Sequence, residues 1–351
     1  MLLKINQITL IILLLSCNIL NAQKSYIVQT VAFYNLENLF DTINNPEKMD
    51  ELSPMMEIKS NRKEIYLDKL SKLAHVLCDI GKEQNKLPPT IIGIAEVENK
   101  KVLEDLIATS PLSDYPYGII HYDSPDQRGI DTALLYNKDI FKPIYSEAIP
   151  ANLYNDNVKI HTRDILLVSG FLMNEKIHVL VNHWPSRRGG VKKSSILRER
   201  VAQKNLDIIA KIRKEEPNAK IIGMGDFNDN PNDKSFKKVL NTKASKNKLK
   251  PEDLYNPFEK MFKEGFNTLT YKSDLFLFDQ IFFSDNFITL NKDYQQFKFY
   301  KAGIFNPSYM TLQKGQYKGS PKRSFSGSIY LGGYSDHYPV YCYLLKENKS
   351  N

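Results

Sequence analysis

The chain has 351 residues, 42% of them hydrophobic and 25% charged, which are ordinary proportions for a globular protein with a sizeable core. Three cysteines are too few for a disulfide scaffold, and beyond the N-terminal segment no stretch is apolar enough to span a membrane. The formal charge of +8 favours anionic partners such as nucleic acid, phosphorylated sugars or lipid headgroups, although a generic basic surface would carry it too.

The first residues have the pattern of a secretory signal peptide. Lys4 supplies a positive charge, residues 8–15 are almost wholly apolar but too short to cross a bilayer, and the small residue Ala22 precedes a polar stretch. We therefore expect a signal peptide at 1–22 and a secreted or periplasmic protein, whose formal charge is +7 because one Lys is removed. An N-terminal anchor helix and lipoprotein processing at Cys17 remain alternatives.

Residues 23–351 contain no internal repeat or low-complexity linker, and we interpret them as one domain. If Cys17 leaves with the signal peptide, Cys78 and Cys342 remain. Both are expected to be buried small hydrophobic residues, with a single bridge between them as the alternative. Nothing in the sequence implies a protein partner or a stable membrane insertion, and we expect a monomer.

Periodicity predicts an α/β or α+β sandwich, in which several short strands accompany two long helices. Leu70, Leu73 and Leu77 recur at helical spacing, and Gly81 can end that helix. The predicted helices are 60–81, 100–108 and 195–213, and the predicted strands are 27–34, 90–95, 132–136, 165–172, 177–182, 221–224, 275–283 and 339–345.

Two segments are predicted to be long surface loops, 243–250 and 301–334. The first is rich in lysine and is expected to be a solvated face. The second interleaves basic and aromatic residues, which suits a nucleic acid strand, although an ordinary basic loop would look the same.

Polar side chains follow the predicted strands at the points where they end. In layered folds, the ends of neighbouring strands can bring side chains from several segments together at one edge of the fold, where a binding site can form. Taken singly, each of these residues could be a surface acid, a turn cap or a hydrogen-bonded core histidine. The residues are Glu96, His183, Asp226, Asn228, Asp279, Asp336 and His337.

These residue types suit hydrolysis of a phosphoester. The reaction needs a cation on the phosphoryl oxygens, an activated water and stabilisation of the leaving oxygen. Carboxylate and amide oxygens suit Mg²⁺ or Mn²⁺, and a His oriented by a carboxylate suits proton transfer near neutral pH. The absence of cysteine from the set argues against structural zinc.

The ordered motifs make the sequence resemble the endonuclease/exonuclease/phosphatase superfamily, over about residues 30–345. Beyond the strand that carries His183, it looks closer to secreted bacterial nuclease-like members than to the well-known eukaryotic branches. The resemblance implies a four-layer α/β/β/α sandwich and a divalent-metal-dependent hydrolase. The motifs are 33–39 (FYNLENL), 93–97 (GIAEV), 128–131 (RGID), 181–184 (VNHW), 225–228 (GDFN), 279–281 (DQI) and 335–337 (SDH).

The resemblance assigns a role to each matching residue. Glu96 matches the principal metal ligand, supported by Asn35, Glu37 and Asp336. Asp226 and Asn228 match the pair that orients water and contacts the phosphate. His337 matches the C-terminal histidine and Asp279 its orienting carboxylate. His183 matches a second histidine, and Asp131 stands where the partner of that histidine is expected.

The basic residues Arg128, Arg187 and Arg188 are candidate phosphate-binding residues, although the two arginines after His183 could also line a solvated loop. We expect nucleic acid to be the substrate. The alternatives are a lipid or sugar phosphodiesterase or phosphatase, and a non-catalytic binder of anionic surfaces. A lipid enzyme should expose an apolar hairpin, for which 303–310 is the candidate.

Overall fold

The computed structural model describes residues 24–348. The expected signal peptide and Cys17 lie outside these residues. Within them, no helix combines the length and the apolar character that a membrane crossing requires.

Five α-helices occur in the described part of the chain. The second ends just before Gly81, as expected, and buries Leu70, Leu73 and Leu77, whereas Leu67 on the predicted apolar face is exposed. The helices are α1 (Pro54–Glu57), α2 (Arg62–Asp79), α3 (Lys100–Ile107), α4 (Val191–Glu215) and α5 (Phe258–Lys263).

The strands of residues 24–348 form two large sheets and three small hairpins. In chain order they are β1 (Tyr26–Leu39), β2 (Ile91–Val97), β3 (Tyr117–His121), β4 (Asp131–Asn137), β5 (Phe141–Ile149), β6 (Leu153–Asn155), β7 (Val158–Ile160), β8 (Ile165–Leu172), β9 (Glu175–His183), β10 (Ile221–Asp226), β11 (Leu254–Tyr255), β12 (Leu269–Tyr271), β13 (Asp274–Phe276), β14 (Asp279–Ser284), β15 (Lys298–Ile304), β16 (Phe325–Ser326), β17 (Ile329–Tyr330) and β18 (Val340–Glu347).

Each large sheet has six strands and mixes parallel and antiparallel pairs. The first has the order β15-β18-β1-β2-β4-β3, with β1 and β2 parallel at its centre. The second has the order β11-β14-β10-β9-β8-β5, with β9 and β10 parallel at its centre. The strands that end in the polar motifs are therefore central in both sheets.

Three apolar cores separate four layers, as the sandwich prediction required. Strand β1 shows why: Ala32 and Tyr34 face the helices α2 and α3, whereas Val31 and Phe33 face the second sheet. The third core lies between the second sheet and α4. Since the middle of β1 is buried on both faces, residues 31–34 are a continuous apolar run rather than an alternating one.

Two predicted segments were wrong in part. The apolar run 275–283 is divided at residues 277–278 into β13 and β14, because the backbone there binds the loop after β10: Leu277 N donates to Asn230 Oδ1, and Phe227 N donates to the Phe278 carbonyl. The run 301–334 is not wholly a surface loop, because its start forms the edge strand β15 and Met310 and Phe325 are buried against the helices.

Both cysteines are buried and free, so the alternative of a bridge does not hold. Cys78 belongs to the core under the helices and Cys342 to the core between the sheets.

Candidate active site

The predicted catalytic residues meet because the strands that carry them end at one edge of the sandwich. In the second sheet, Asp226 pairs with His183 across parallel strands and with Asp279 across antiparallel strands. A Cβ at Gly225 would lie 2.3 Å from the Asn182 carbonyl oxygen, so only glycine lets β10 approach β9 this closely.

Several residues at this edge have left-handed backbone conformations, which are uncommon outside glycine. Their φ values are 49° at Glu37, 54° at Asn38, 63° at Glu96 and 51° at Asn228. Such conformations cost about 1–3 kcal/mol each and cluster where a side chain must be aimed at a site. The pairing of β1 with β2 is also irregular between Asn35 and Leu39, which turns the chain at this point.

Asp226 lies at the centre of the site and is almost fully buried. Its Oδ2 accepts a hydrogen bond from Asn35 Nδ2 at 3.1 Å, and its Oδ1 accepts one from Asn228 N at 3.0 Å. Burial raises the pKa of Asp226 to about 7, with the nearby His337 acting in the opposite direction. The carboxylate is therefore held from two sides and can exchange a proton near neutral pH.

His337 forms a buried pair with Asp279, as predicted. Its Nδ1 lies 2.7 Å from Asp279 Oδ2, and its Nε2 lies 3.9 Å from Asp226 Oδ2. Burial alone would lower the pKa of His337, but the negative charges of Asp279 and Asp226 outweigh it and raise that pKa well above the usual value. His337 is therefore a cation that presents an Nε2–H donor to the mouth.

His183 has the opposite character. Its pKa is lowered well below the usual value, first by burial and then by the positive charge of Arg163. Its Nε2 lies 3.6 Å from Asp226 Oδ2 and 3.8 Å from Glu96 Oε1, while no residue in the described chain pairs with its Nδ1. The site thus holds one neutral and one charged imidazole.

Glu96, His183 and Asp226 form a group that fits a hard divalent cation. One ligand atom from each lies within 4.8 Å of the others. Glu96 is the most accessible of the three, and its Oε2 is held by the backbone N–H of Asn38 at 3.1 Å. Two carboxylates and one imidazole at a partly open edge are a donor set that Mg²⁺ or Mn²⁺ accepts.

The predicted ligands Glu37 and Asn35 have other partners here. Both oxygens of Glu37 accept hydrogen bonds from the segment that contains Arg323 and Ser324, because the left-handed backbone at Glu37 turns its side chain away from Glu96. Burial raises the pKa of Glu37 to about 7. Asn35 Nδ2 donates a hydrogen bond to Asp226 Oδ2, and Asn35 Oδ1 accepts one from Glu37 N. Asn35 therefore supports the other site residues from within the fold.

Asp336 lies beside His337 rather than beside Glu96. One of its oxygens accepts a hydrogen bond from Arg323 Nη2 at 3.1 Å, and the other is 3.9 Å from His337 Nε2. Of the predicted metal ligands, Glu37 and Asp336 are therefore not grouped with Glu96, whose neighbours among the described His, Asp and Glu side chains are His183 and Asp226.

Asp131 is not the partner of His183, which corrects that expectation. Its Oδ2 lies 2.9 Å from His121 Nε2, and its Oδ1 accepts a hydrogen bond from Ser124 N. The reason is the pairing of β3 with β4, which places His121 next to the start of β4.

Two of the three predicted phosphate-binding arginines already have anionic partners. Arg128 is held by Asp126 at 2.9 Å. Arg187 contacts Asp233 at 2.7 Å, donates to the carbonyl of Asn228 and packs over two phenylalanine rings. Its charge is therefore neutralised, and it supports the loop after β10.

Arg188 is exposed and lies beside α4, in a cleft that Lys193 and Leu197 also line. None of the catalytic residues lines this cleft. Arg188 therefore has no contact with the catalytic residues that would support the phosphate-binding role, which stays a prediction.

Three buried or half-buried cations near the site were not predicted as site residues. Arg163 binds Asp126 and the Trp184 carbonyl and lowers the pKa of His183. Lys69, fully buried on α2, donates to Ser324 Oγ at 2.6 Å, and burial lowers its pKa to about 8. Arg323 joins Glu37 to Asp336. Only the basic composition of 301–334 pointed toward Arg323.

Comparisons with known proteins give the family and the fold. A model described as the Endonuclease/Exonuclease/phosphatase family matches residues 30–346. No curated protein matches the chain in sequence.

Solved structures share the fold at low identity. TDP2 of D. rerio, complexed with single strand DNA product, is 16% identical with a TM-score of 0.52, and the alignment covers 90% of this chain and 98% of that one. An endonuclease/exonuclease/phosphatase family protein from Bacteroides thetaiotaomicron is 17% identical with a TM-score of 0.54, covering 93% and 98%. The mannosyl-6-phosphatase of Bacteroides thetaiotaomicron is 17% identical with a TM-score of 0.55, covering 90% and 99%.

Proposed function

Because the chain belongs to the Endonuclease/Exonuclease/phosphatase family, whose members are metal-dependent phosphoesterases, we propose that it is a secreted phosphodiesterase that hydrolyses nucleic acid with Mg²⁺ or Mn²⁺. The observation that carries this proposal is the convergence of Glu96, Asp226 and the His337–Asp279 pair at one edge of the sandwich. A module that only adhered to anions would have no use for buried carboxylates facing its ligand.

A divalent cation would be held by Glu96, with His183 and Asp226 within reach. When bound, it would neutralise charge on the phosphoryl oxygens.

The chain's own groups supply the remaining requirements. His337, kept charged by Asp279, offers Nε2–H to a phosphoryl oxygen or to the leaving oxygen. Asp226, fixed by Asn35 and Asn228 N, positions the attacking water. Neutral His183 lies 3.6 Å from Asp226 Oδ2, and an uncharged imidazole is the form that can serve as a ligand of the divalent cation.

Nucleic acid is favoured over the alternatives by charge. After loss of the expected signal peptide the formal charge is +7, which attracts a polyanion at long range. The lipid alternative is weakened because the apolar segment 303–310 is not an exposed hairpin: Ile304, Phe305, Tyr309 and Met310 pack against the core. A sugar phosphatase stays the second candidate, since one structural neighbour bears that name.

The decisive measurement is turnover of bis-p-nitrophenyl phosphate by the mature protein, with and without EDTA. We expect activity in Mg²⁺ or Mn²⁺, none in chelator, and a loss of about 10²–10⁴-fold in Glu96→Ala. The matched control is Glu104→Ala, which removes an exposed carboxylate on α3. Full activity in chelator or in Glu96→Ala would refute metal-dependent hydrolysis.

The substrate class is tested by comparing plasmid DNA, RNA, sphingomyelin, inositol phosphates and mannose 6-phosphate under the same conditions. Nicking of plasmid or cleavage of RNA at low salt supports the proposal. Good turnover of a monoester or a lipid without nicking would replace nucleic acid by that substrate.

A further inference from the structure

We propose that a groove beside the active site binds the single-stranded nucleic acid that flanks the scissile phosphate, with bases stacked on Tyr271 and Tyr317. This inference rests on the proposed function and adds to it the place where the substrate chain lies. The groove runs between the β12–β13 hairpin and the segment 312–333, and encloses about 570 Å³. We call it the tyrosine groove.

The tyrosine groove adjoins the catalytic residues directly. Leu269, at the start of β12, forms a β-bridge with His337. Arg323, which lines the groove, reaches Asp336 at 3.1 Å, next to His337 in the chain. A polymer bound across His337 would therefore continue into the groove.

The charge of the groove suits a phosphate backbone. Among the described residues that line it, Lys272, Lys322 and Arg323 are cationic and none is acidic. Arg323 is already paired with Glu37 and Asp336, so Lys272 and Lys322 are the two cations offered to a phosphate backbone. Lys272 Nζ lies 5.7 Å from the centroid of the Tyr271 ring, so a cation and an aromatic face stand side by side. This alternation matches a strand in which each base is followed by a phosphate.

Two aromatic rings of the groove are open to solvent. Tyr271 is 63% exposed and Tyr317 is 48% exposed. Base–aromatic stacking uses such faces and does not depend on base identity. A sugar, by contrast, presents several hydroxyl donors that need acceptors, and the described lining has no carboxylate or side-chain amide.

The base of the groove is fixed by the backbone rather than by mobile side chains. A Cβ at Gly333 would lie 2.1 Å from the Arg323 carbonyl oxygen and 2.2 Å from that of Lys322, so the two chain segments touch there. Tyr334 N also donates to the Lys322 carbonyl at 2.7 Å. The cations are therefore carried on a preformed segment, which reduces the ordering that binding requires.

The test compares kcat/KM for a short single-stranded oligonucleotide with kcat/KM for bis-p-nitrophenyl phosphate. In Tyr317→Ala and Tyr271→Ala the ratio of the two should fall about tenfold, whereas Tyr→Phe at either position should preserve it, because the ring remains. Tyr300→Ala is the control: its side chain is 46% exposed, like that of Tyr317, but lies outside the groove.

A second measurement uses binding in EDTA, so that cleavage is not needed. Fluorescence anisotropy of a labelled oligonucleotide across a salt series should give a log–log slope that is less steep by about 0.7 for each of Lys272→Gln and Lys322→Gln. If the protein binds the oligonucleotide through the groove but hydrolyses no diester, the proposed function is refuted and the proposed binding role of the groove is supported.

Three outcomes would overturn the groove itself. They are an unchanged substrate ratio in both alanine variants, an equal fall on both substrates with unchanged melting temperature, and an unchanged salt slope in both lysine variants.

Discussion

Asp279 is the residue on which the charge of His337 depends, and it is fully buried. Its Oδ2 lies 2.7 Å from His337 Nδ1, and its Oδ1 has no hydrogen-bond partner among the described residues. Asp279→Asn removes the negative charge that keeps His337 protonated. We expect kcat for bis-p-nitrophenyl phosphate to fall by about 10²–10⁴-fold.

The matched control is Asp207→Asn, an exposed carboxylate on α4. Circular dichroism and melting temperature separate a catalytic effect from partial unfolding. A loss of turnover no larger than the unfolded fraction would show that Asp279 acts only in stability.

Arg187 shows how a residue expected to bind substrate is used inside the molecule. Arg187→Ala should lower the free energy of unfolding by about 1.5–3 kcal/mol, because it removes hydrogen bonds of a charged group to Asp233 and to the Asn228 carbonyl. Since that loop carries the catalytic residues, turnover of oligonucleotide and of the small diester should fall by the same factor.

Arg200→Ala is a suitable control, because Arg200 is a surface residue that, within residues 24–348, donates only to the Tyr154 carbonyl. Urea unfolding measures the free energy of unfolding. Kinetics on the oligonucleotide and on the small diester show whether turnover of the two substrates falls by the same factor. A selective loss on the oligonucleotide would return Arg187 to the phosphate-binding role first assigned to it.

The elements of the fold were predictable where one physical signal dominated. Apolar spacing located α2, and buried runs located β2, β9 and β10, because a strand covered on both faces must be apolar throughout. The same signal failed at 275–283, because Leu275 and Phe276 are apolar although β13 is largely exposed, so no change of pattern separates it from the buried β14. The edge strand β15 was missed because Lys298 and Lys301 give it the polarity of a loop.

The active site was more predictable than the contacts that support it. Residues at the ends of central strands, such as Glu96, Asp226 and His337, converge because their strands do. Motif order does not give the partners of Asp131 and Arg187. The pairing of β3 with β4 brings His121 to Asp131, and Arg187 reaches Asp233 in the loop after β10. The Lys69–Glu37 arrangement depends in the same way on how α2 packs against the segment 323–325.

At the same scale, Gly225 sets the distance between β9 and β10. Gly225→Ala should lower the free energy of unfolding by about 1–3 kcal/mol, because its Cβ would collide with the backbone at Asn182, which cannot yield as a flexible side chain would. Turnover should fall by more than the loss of folded protein alone explains, since the pairing of Asp226 with His183 is displaced. A stable variant with unchanged turnover would show that the strands can separate without harm.

For the whole molecule, cation binding should be visible as stability. Glu96, Asp226 and Asp279 concentrate negative charge at one edge, and a divalent cation that binds only the folded state stabilises it by about 2.7 kcal/mol at one hundred times its dissociation constant. The melting temperature should therefore rise by several degrees in Mg²⁺ or Mn²⁺.

Glu96→Ala should abolish that rise and Glu104→Ala should not. Differential scanning fluorimetry with and without EDTA measures this rise in melting temperature directly, independently of any substrate. An equal rise in both variants would place the cation elsewhere in the protein.

The catalytic residues also belong to different halves of the sandwich. His183, Asp226 and Asp279 come from the second sheet, whereas Asn35, Glu96 and the segment before β18 come from the first. The distances between the site residues of the two sheets therefore change when one sheet moves relative to the other. A displacement of a reacting group by about 1 Å can change a rate by about 10²-fold. Residues buried between the sheets, such as Phe33 and Met224, hold the two halves together. We therefore expect turnover to be lost before the fold when these contacts are weakened. In sub-denaturing urea, activity should disappear while the outer helices keep their circular dichroism.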